Sequence, residues 1–328
     1  MQAQPHNGTR YFGTIPSWHK NVVFPHSINN EGYAGGQFNL TILEVAPLAT
    51  SRYKALSYVW GDDYDTVPIQ CNGVEIQVTR NLYWALQHLS VTFTSHSLWI
   101  DAICINQHEE AQEEKGQQID IMGEIYSQAE EVLIWLAEST LPVNADLCFE
   151  ACKTYGRQWR YAKMLIALSY RGTWKQLSDK TVQTSLALNN PFTEEIMAGL
   201  LEIMRHRYWT RIWVIQEMTL ASKSRIVTGR SSLNWIDFKI FLTMMEHCLP
   251  WWLRGMGPNF RALNDMTRME QIGEPPVTYG LSDLLVQFRW SSAKETRDKV
   301  YGLLGLLSQS QRDLMTSASY FNAGLPAS

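Results

Sequence analysis

Glu217 stands four residues after Trp213 and eight after Trp209, with Gln216 beside it. On a helix that spacing lines one face, and a carboxylate among indoles is partly desolvated, which raises its affinity for protons or cationic ligands. Spacing alone favours the ordinary alternative, in which the tryptophans are core and Glu217 is a solvated or Arg211-paired surface acid. Cys104 with His108 invites a thiolate–imidazole pair, yet a passage from strand to helix does not guarantee i,i+4 proximity, and free cysteines are commonly packed and inert. Ser57 lies in a β-prone stretch without a Gly-x-Ser-x-Gly elbow, which argues against a hydrolase nucleophile. Asp62 and Asp101 fall near strand ends, where either can equally cap a turn.

Metal and phosphate chemistry find little support. The Gly61-Asp62-Asp63 turn lacks calcium-loop spacing, and Cys148 with Cys152 has no second ligand pair, so no metal is expected. Neither a Gly-x-x-x-x-Gly-Lys loop nor a Gly-x-Gly-x-x-Gly fingerprint occurs.

The elements that must position these residues alternate. Phe38–Val45 and Lys54–Trp60 read as strands, Ile69–Val78 as a hairpin turning at Asn72-Gly73, and Thr79 as the cap of a helix with Leu82, Ala85, Leu86 and Leu89 on its buried face. The apolar run Leu98–Gln107 reads as a buried strand, its Leu98–Ile103 portion central in the sheet. A helix bearing Ile119, Met122, Tyr126 and Ala129 follows, then a strand at Val132–Ala137. This order predicts an α/β fold with a doubly wound, mostly parallel sheet. Residues 138–205 read as a helical insertion, with Asn190-Pro191 starting its last helix, and Trp209–Ala221 as a continuous helix before a strand at Ser224–Thr228. Mostly helical sequence then runs to Leu307, with Arg254–Pro276 as linker. The expected division is an N-terminal loop-like segment over 1–37, a domain over 38–235 with core motifs at 53–217, and a helical region over 236–328.

The chain has 328 residues, 45% hydrophobic, with net charge −4 and no long basic run, so a core is affordable and a nucleic-acid partner is not expected. No stretch approaches the roughly eighteen apolar residues of a membrane span, and the N-terminus lacks a signal-peptide pattern. Five cysteines form no dense framework. These features predict a cytoplasmic protein with reduced thiols.

Three ordered blocks, Tyr53-Lys-Ala-Leu-Ser-Tyr-Val-Trp-Gly61, Leu98-Trp-Ile-Asp-Ala-Ile-Cys-Ile-Asn-Gln107 and Arg207-Tyr-Trp-Thr-Arg-Ile-Trp-Val-Ile-Gln-Glu217, closely resemble those of the fungal heterokaryon-incompatibility (HET) domain. Ile134-Trp135-Leu136 and the downstream Arg297-Asp-Lys-Val-Tyr-Gly-Leu-Leu-Gly-Leu306 match as well. Ala137 and Lys115 depart from the pattern, standing where a glycine and an arginine are usual. The chain also ends sooner after the last block than many members do, as a short member or a truncated product would. The resemblance implies nonself recognition between hyphae with cell death as output, and an incompatibility partner protein.

The order of motifs is also similar to that of Toll/interleukin-receptor (TIR) domains, a flavodoxin-like arrangement in which a tryptophan and a glutamate four apart begin a helix and the glutamate acts in NAD-cleaving members. Carried over, this makes Glu217 the catalytic residue, with Trp213 shaping the pocket and Ser57, Trp60 and Asp101 bordering it. NAD would be a substrate, no cofactor would be needed, and self-association would govern activity. The alternative is a non-catalytic signalling module that assembles through its tryptophan-rich surfaces, since 13 tryptophans exceed what most cores of this size require.

Overall fold

The computed structural model describes residues 39–40, 52–71, 74–92, 97–105, 107, 112–136, 144–168, 193–228, 231–248 and 280–312. They fall into two compact units, one containing residues 1–56 and 60–118 and the other 57–59 and 119–328.

In the first unit, β1 (Asn39–Leu40) is the described part of the first expected strand and runs parallel to the strand at Thr66–Cys71. β2 (Lys54–Tyr58), whose last two residues belong to the second unit, is buried throughout, as expected of a strand covered on both faces. β3 (Thr66–Cys71) and β4 (Val74–Thr79) form the expected antiparallel hairpin; its turn residues Asn72 and Gly73 lie outside the described residues. Ile69 faces Ile76 across the ladder, both buried. α1 (Arg80–Thr92) packs on the hairpin through Leu82, Ala85, Leu86 and Leu89, all 0–2% exposed. The Thr79 hydroxyl accepts from Leu82 N at 3.4 Å, satisfying a first-turn amide that has no helical partner.

The run expected as a central strand differs. β5 is only Leu98–Trp99, an edge strand parallel to β2, and Asp101–Cys104 coils into a helical turn, α2. A short apolar run fits a buried helical turn as well as a strand. Asp101 tips the balance: its Oδ1 accepts from Ala102 N at 2.7 Å, while Ile105 N bonds back to the Asp101 carbonyl at 3.0 Å.

α3 (Gln112–Gln128) buries Met122, Ile125 and Tyr126, with Ala129 just beyond its end, and leads to β6 (Glu131–Trp135), buried along its length. α4 (Ala145–Leu168) and α5 (Glu194–Arg205) make up the described part of the insertion. α5 starts at Glu194 with Thr193 as its N-cap, in place of the expected Asn190-Pro191 start, which lies outside the described residues: the Thr193 hydroxyl accepts from Ile196 N. The helix expected over Trp209–Ala221 is also interrupted. Arg207–Thr210 is a 3₁₀ turn, Arg211 is extended, and only Val214–Thr219 is α-helical, as α6.

β7 (Ser224–Thr228) pairs parallel with β6 and antiparallel with β8 (Ser231–Asn234), after which come α7 (Trp235–Cys248), α8 (Leu281–Gln287) and α9 (Asp298–Leu304). The five-stranded sheet has the order β5-β2-β6-β7-β8, which is order 2-1-3-4-5 counted within the sheet, as in flavodoxin-like α/β folds, with the last strand reversed. Among the described residues no helix is long and apolar enough to cross a membrane. The expected Arg254–Pro276 linker lies outside the described residues.

Glycine sets the approach of α9 to its neighbours. A Cβ on Gly305 would meet Gln216 Oε1 at 2.7 Å, and the Cα of Gly123 in α3 at 3.1 Å, distances that real side chains do not tolerate without movement. Gly305→Ala should therefore cost about 1–3 kcal/mol through overpacking. Gly116, with nothing near its Cβ position, should become slightly more stable as alanine, by up to ~1 kcal/mol from helix propensity. Denaturant melts of the two variants check this; equal midpoints would contradict the packing.

Candidate functional site

The carboxyl end of β2 brings Ser57 into the second unit, where it meets the segment from Tyr208 to Glu217. Ser57 Oγ–H donates to Glu217 Oε2, and Ser57 Oγ lies 2.6 Å from the Tyr208 hydroxyl. Ser57 has one proton and spends it on the carboxylate, so in the second bond Tyr208 is the donor. The result is a directed chain from Tyr208 through Ser57 to Glu217. One residue on, the Arg211 guanidinium donates to the Tyr58 carbonyl, a second tie between β2 and this segment.

All three members are sealed: Ser57 and Glu217 are 1% exposed and Tyr208 is 0% exposed. Glu217 is therefore no surface acid, which overturns the reading that spacing alone favoured. The Tyr208 phenol is pushed well above its ordinary range, first by burial and then by the charge of Glu217.

Trp209 fixes the geometry from the other side of the 3₁₀ turn. It stacks on Trp235 (5.9 Å between centroids) and Phe238 (6.4 Å), and its indole N–H donates to the Ile203 carbonyl at 2.6 Å. This peg also meets the adjacent Tyr208 ring edge-on, at 4.9 Å between centroids. Trp209 thus belongs to the core and does not share a helix face with Glu217. Trp213 does keep its helical relation: it caps α6, half-buried, and its carbonyl accepts from Glu217 N at 3.2 Å.

Trp60 and Asp101 form their own pair in the first unit, the indole N–H donating to Asp101 Oδ2 at 2.7 Å. Asp101 is 8% exposed and holds both this indole and the Ala102 amide, the work of a structural acid. Asp62 caps its turn by accepting from Tyr64 N at 2.9 Å. Cys104, half-buried, receives the Ile100 amide on sulfur, yet burial pushes its thiol well above the ordinary range. His108 lies outside the described residues, as does Ala137. Cys148 and Cys152 are buried thiols, and the described residues contain no group of three ligands able to hold a metal.

Sequence reasoning quoted Tyr208 and Arg211 within the third block but gave Tyr208 no role. The only signal was its place in that block, since contacts spanning 151 residues leave no local periodicity.

Two measurements test this geometry. Ser57→Ala removes the donor to a buried carboxylate and should lower stability by about 1.5–3 kcal/mol in urea unfolding at neutral pH; an unchanged midpoint would refute the bond. Burial also raises the Cys71 thiol to about 12. With Cys104 likewise raised, these protons are held more tightly folded than unfolded. Their contribution to stability is complete below about pH 9 and is lost as pH climbs toward 12, at up to ~1.4 kcal/mol per pH unit for each thiol. Alkaline unfolding curves should steepen accordingly, and native Cys71 and Cys104 should alkylate at pH 8 about a hundredfold slower than in denaturant.

The family model described as heterokaryon incompatibility protein (HET) matches residues 53–217. The chain is also similar to heterokaryon incompatibility protein 6, OR allele, of Neurospora crassa, with 25% identity over 301 residues covering 77% of this chain and 42% of the relative. It therefore spans less than half of that protein's length. No solved structure matches. With half of its residues, including Ser57, Tyr208 and Glu217, inside the family match, the chain belongs to the heterokaryon incompatibility (HET) family.

Proposed function

We propose that this chain acts in heterokaryon incompatibility, as an effector of nonself recognition that ends in cell death, and that it does so by hydrolysing NAD at Glu217. The name of the Neurospora relative supports the part in heterokaryon incompatibility. The observation that carries the chemical reading is the buried Glu217 carboxylate, held by the Ser57 hydroxyl at the carboxyl end of β2. Sheets of this kind take ligands beyond the carboxyl ends of their strands, which supports a site where Ser57 stands.

The reaction breaks the C1′–N1 bond. The electron pair leaves with nicotinamide, water adds to C1′, and ADP-ribose and a proton result. The transition state carries positive charge on the ribose, which a carboxylate in a water-poor site stabilises strongly. Pyridinium is a good leaving group, so no general acid is required. Trp213, half-buried one turn before Glu217, would border the ribose.

A carboxylate 1% exposed cannot meet a ribose. Turnover therefore requires Ser57 and Tyr208 to give way, and self-association is the proposed trigger. The same sealing favours a second reading, in which Glu217 is structural and the domain signals by assembly alone; the exposed Trp290, at 59%, is a surface such assembly could use.

Nicotinamide release by the purified full chain, followed as concentration rises, separates the two. The catalytic reading expects specific activity to climb with concentration and to fall at least ~100-fold in Glu217→Gln. Assembly without nicotinamide release, with toxicity in a host cell surviving Glu217→Gln, would establish the second.

A further inference from the structure

The helix carrying Glu217 is held by a part of the chain well beyond it. Ser292 forms a parallel bridge with Arg211: its carbonyl accepts from Ile212 N at 2.9 Å and its amide donates to the Thr210 carbonyl. The loop that presents Ser292 is gathered by one cation. Lys299 Nζ donates to the Arg289 carbonyl at 3.1 Å and to the Ser291 carbonyl. From Lys299 the chain continues along α9, where Gly302 lies against Ile212, close enough that a Cβ would meet its side chain at 3.2 Å. At the end of α9, Gly305 N donates to Gln216 Oε1 at 3.2 Å, on the residue next to Glu217. Gln216 is 1% exposed, so this bond is made out of water. Ile212 and Gln216, which flank the start of α6, are thus both gripped by residues 289–305, outside the matched 53–217.

α6 has only six residues, too few to be stable alone, so its position comes from what it packs against. We infer that residues 289–305 are a clamp that sets the position of Glu217, and that Lys299 is its positioning residue, acting through Ser292 and α9 without touching the reacting atoms. For catalysis this rests on the reading of Glu217 given above; for the position of α6 it does not.

The experiment compares the full chain with Lys299→Met, which removes the cation at similar length, and Lys299→Arg, which can again donate to two carbonyls. Amide exchange and nicotinamide release are measured in parallel. In Lys299→Met, exchange in the peptide covering 210–220 should quicken about tenfold while α4 and α7 are unchanged. kcat should fall about tenfold with KM held within about twofold, and the arginine variant should recover both. Gln216→Met, which breaks the grip at its other end, should give the same local pattern and serves if Lys299→Met does not fold. Unchanged exchange over 210–220, a rise spread evenly over the chain, or failure of the arginine variant to recover would overturn the clamp. Local loosening as expected, in a chain that releases no nicotinamide, would uphold the clamp and reject NAD hydrolysis.

Discussion

A carboxylate withdrawn from water must be met by donors in fixed positions, or its charge costs several kcal/mol. Glu217, at 1% exposure, imposes that demand on its surroundings. Ser57 answers it directly with its own hydroxyl proton, and Tyr208 donates in turn to the Ser57 oxygen. Those positions require β2 to end where it does, Arg211 to hold the Tyr58 carbonyl, and the 3₁₀ turn to be pegged by Trp209. A polar chain of this kind is favourable only when complete, which makes the end of β2 and the 208–217 segment a single unit of structure.

The HET motif blocks acquire physical roles on this basis. The first provides Ser57 and the Tyr58 carbonyl, and the third provides Tyr208, the Trp209 peg, Arg211 and Glu217. The first and second together provide the Trp60–Asp101 bond. The downstream block, beyond the family match, provides Lys299, Gly302 and Gly305, small or cationic residues whose value lies in how closely backbone can approach them.

Elements with a strong local period were legible in the sequence. The α1 face from Leu82 to Leu89, the hairpin around Asn72-Gly73 and the buried strands β6 and β7 all follow from spacing and turn chemistry. What could not be read were outcomes decided by distant partners. Trp209–Ala221 has a helical pattern, yet Ser292 draws Arg211 into an extended bridge and breaks it. Leu98–Ile103 is apolar enough for a strand, yet the Asp101 side chain turns it into a helical turn. Thr193 took the cap that Asn190-Pro191 advertised, because a hydroxyl three residues before Ile196 N reaches it. Glu217 itself looked like a surface acid for the same reason: its donor lies 160 residues away.

That separation also has a meaning in time. Ser57 leaves the ribosome long before Glu217 is made; at about 5–20 residues per second the interval is roughly 10–30 s. Through nearly all of it, neither Tyr208 nor Glu217 exists for the Ser57 hydroxyl to bond. Residues 289–305, which grip α6 afterwards, come later still. A nascent chain interrupted before Gly305 thus carries Glu217 with Ser57 and Tyr208 already available, but without the bond from Gly305 N to Gln216 that grips the same helix.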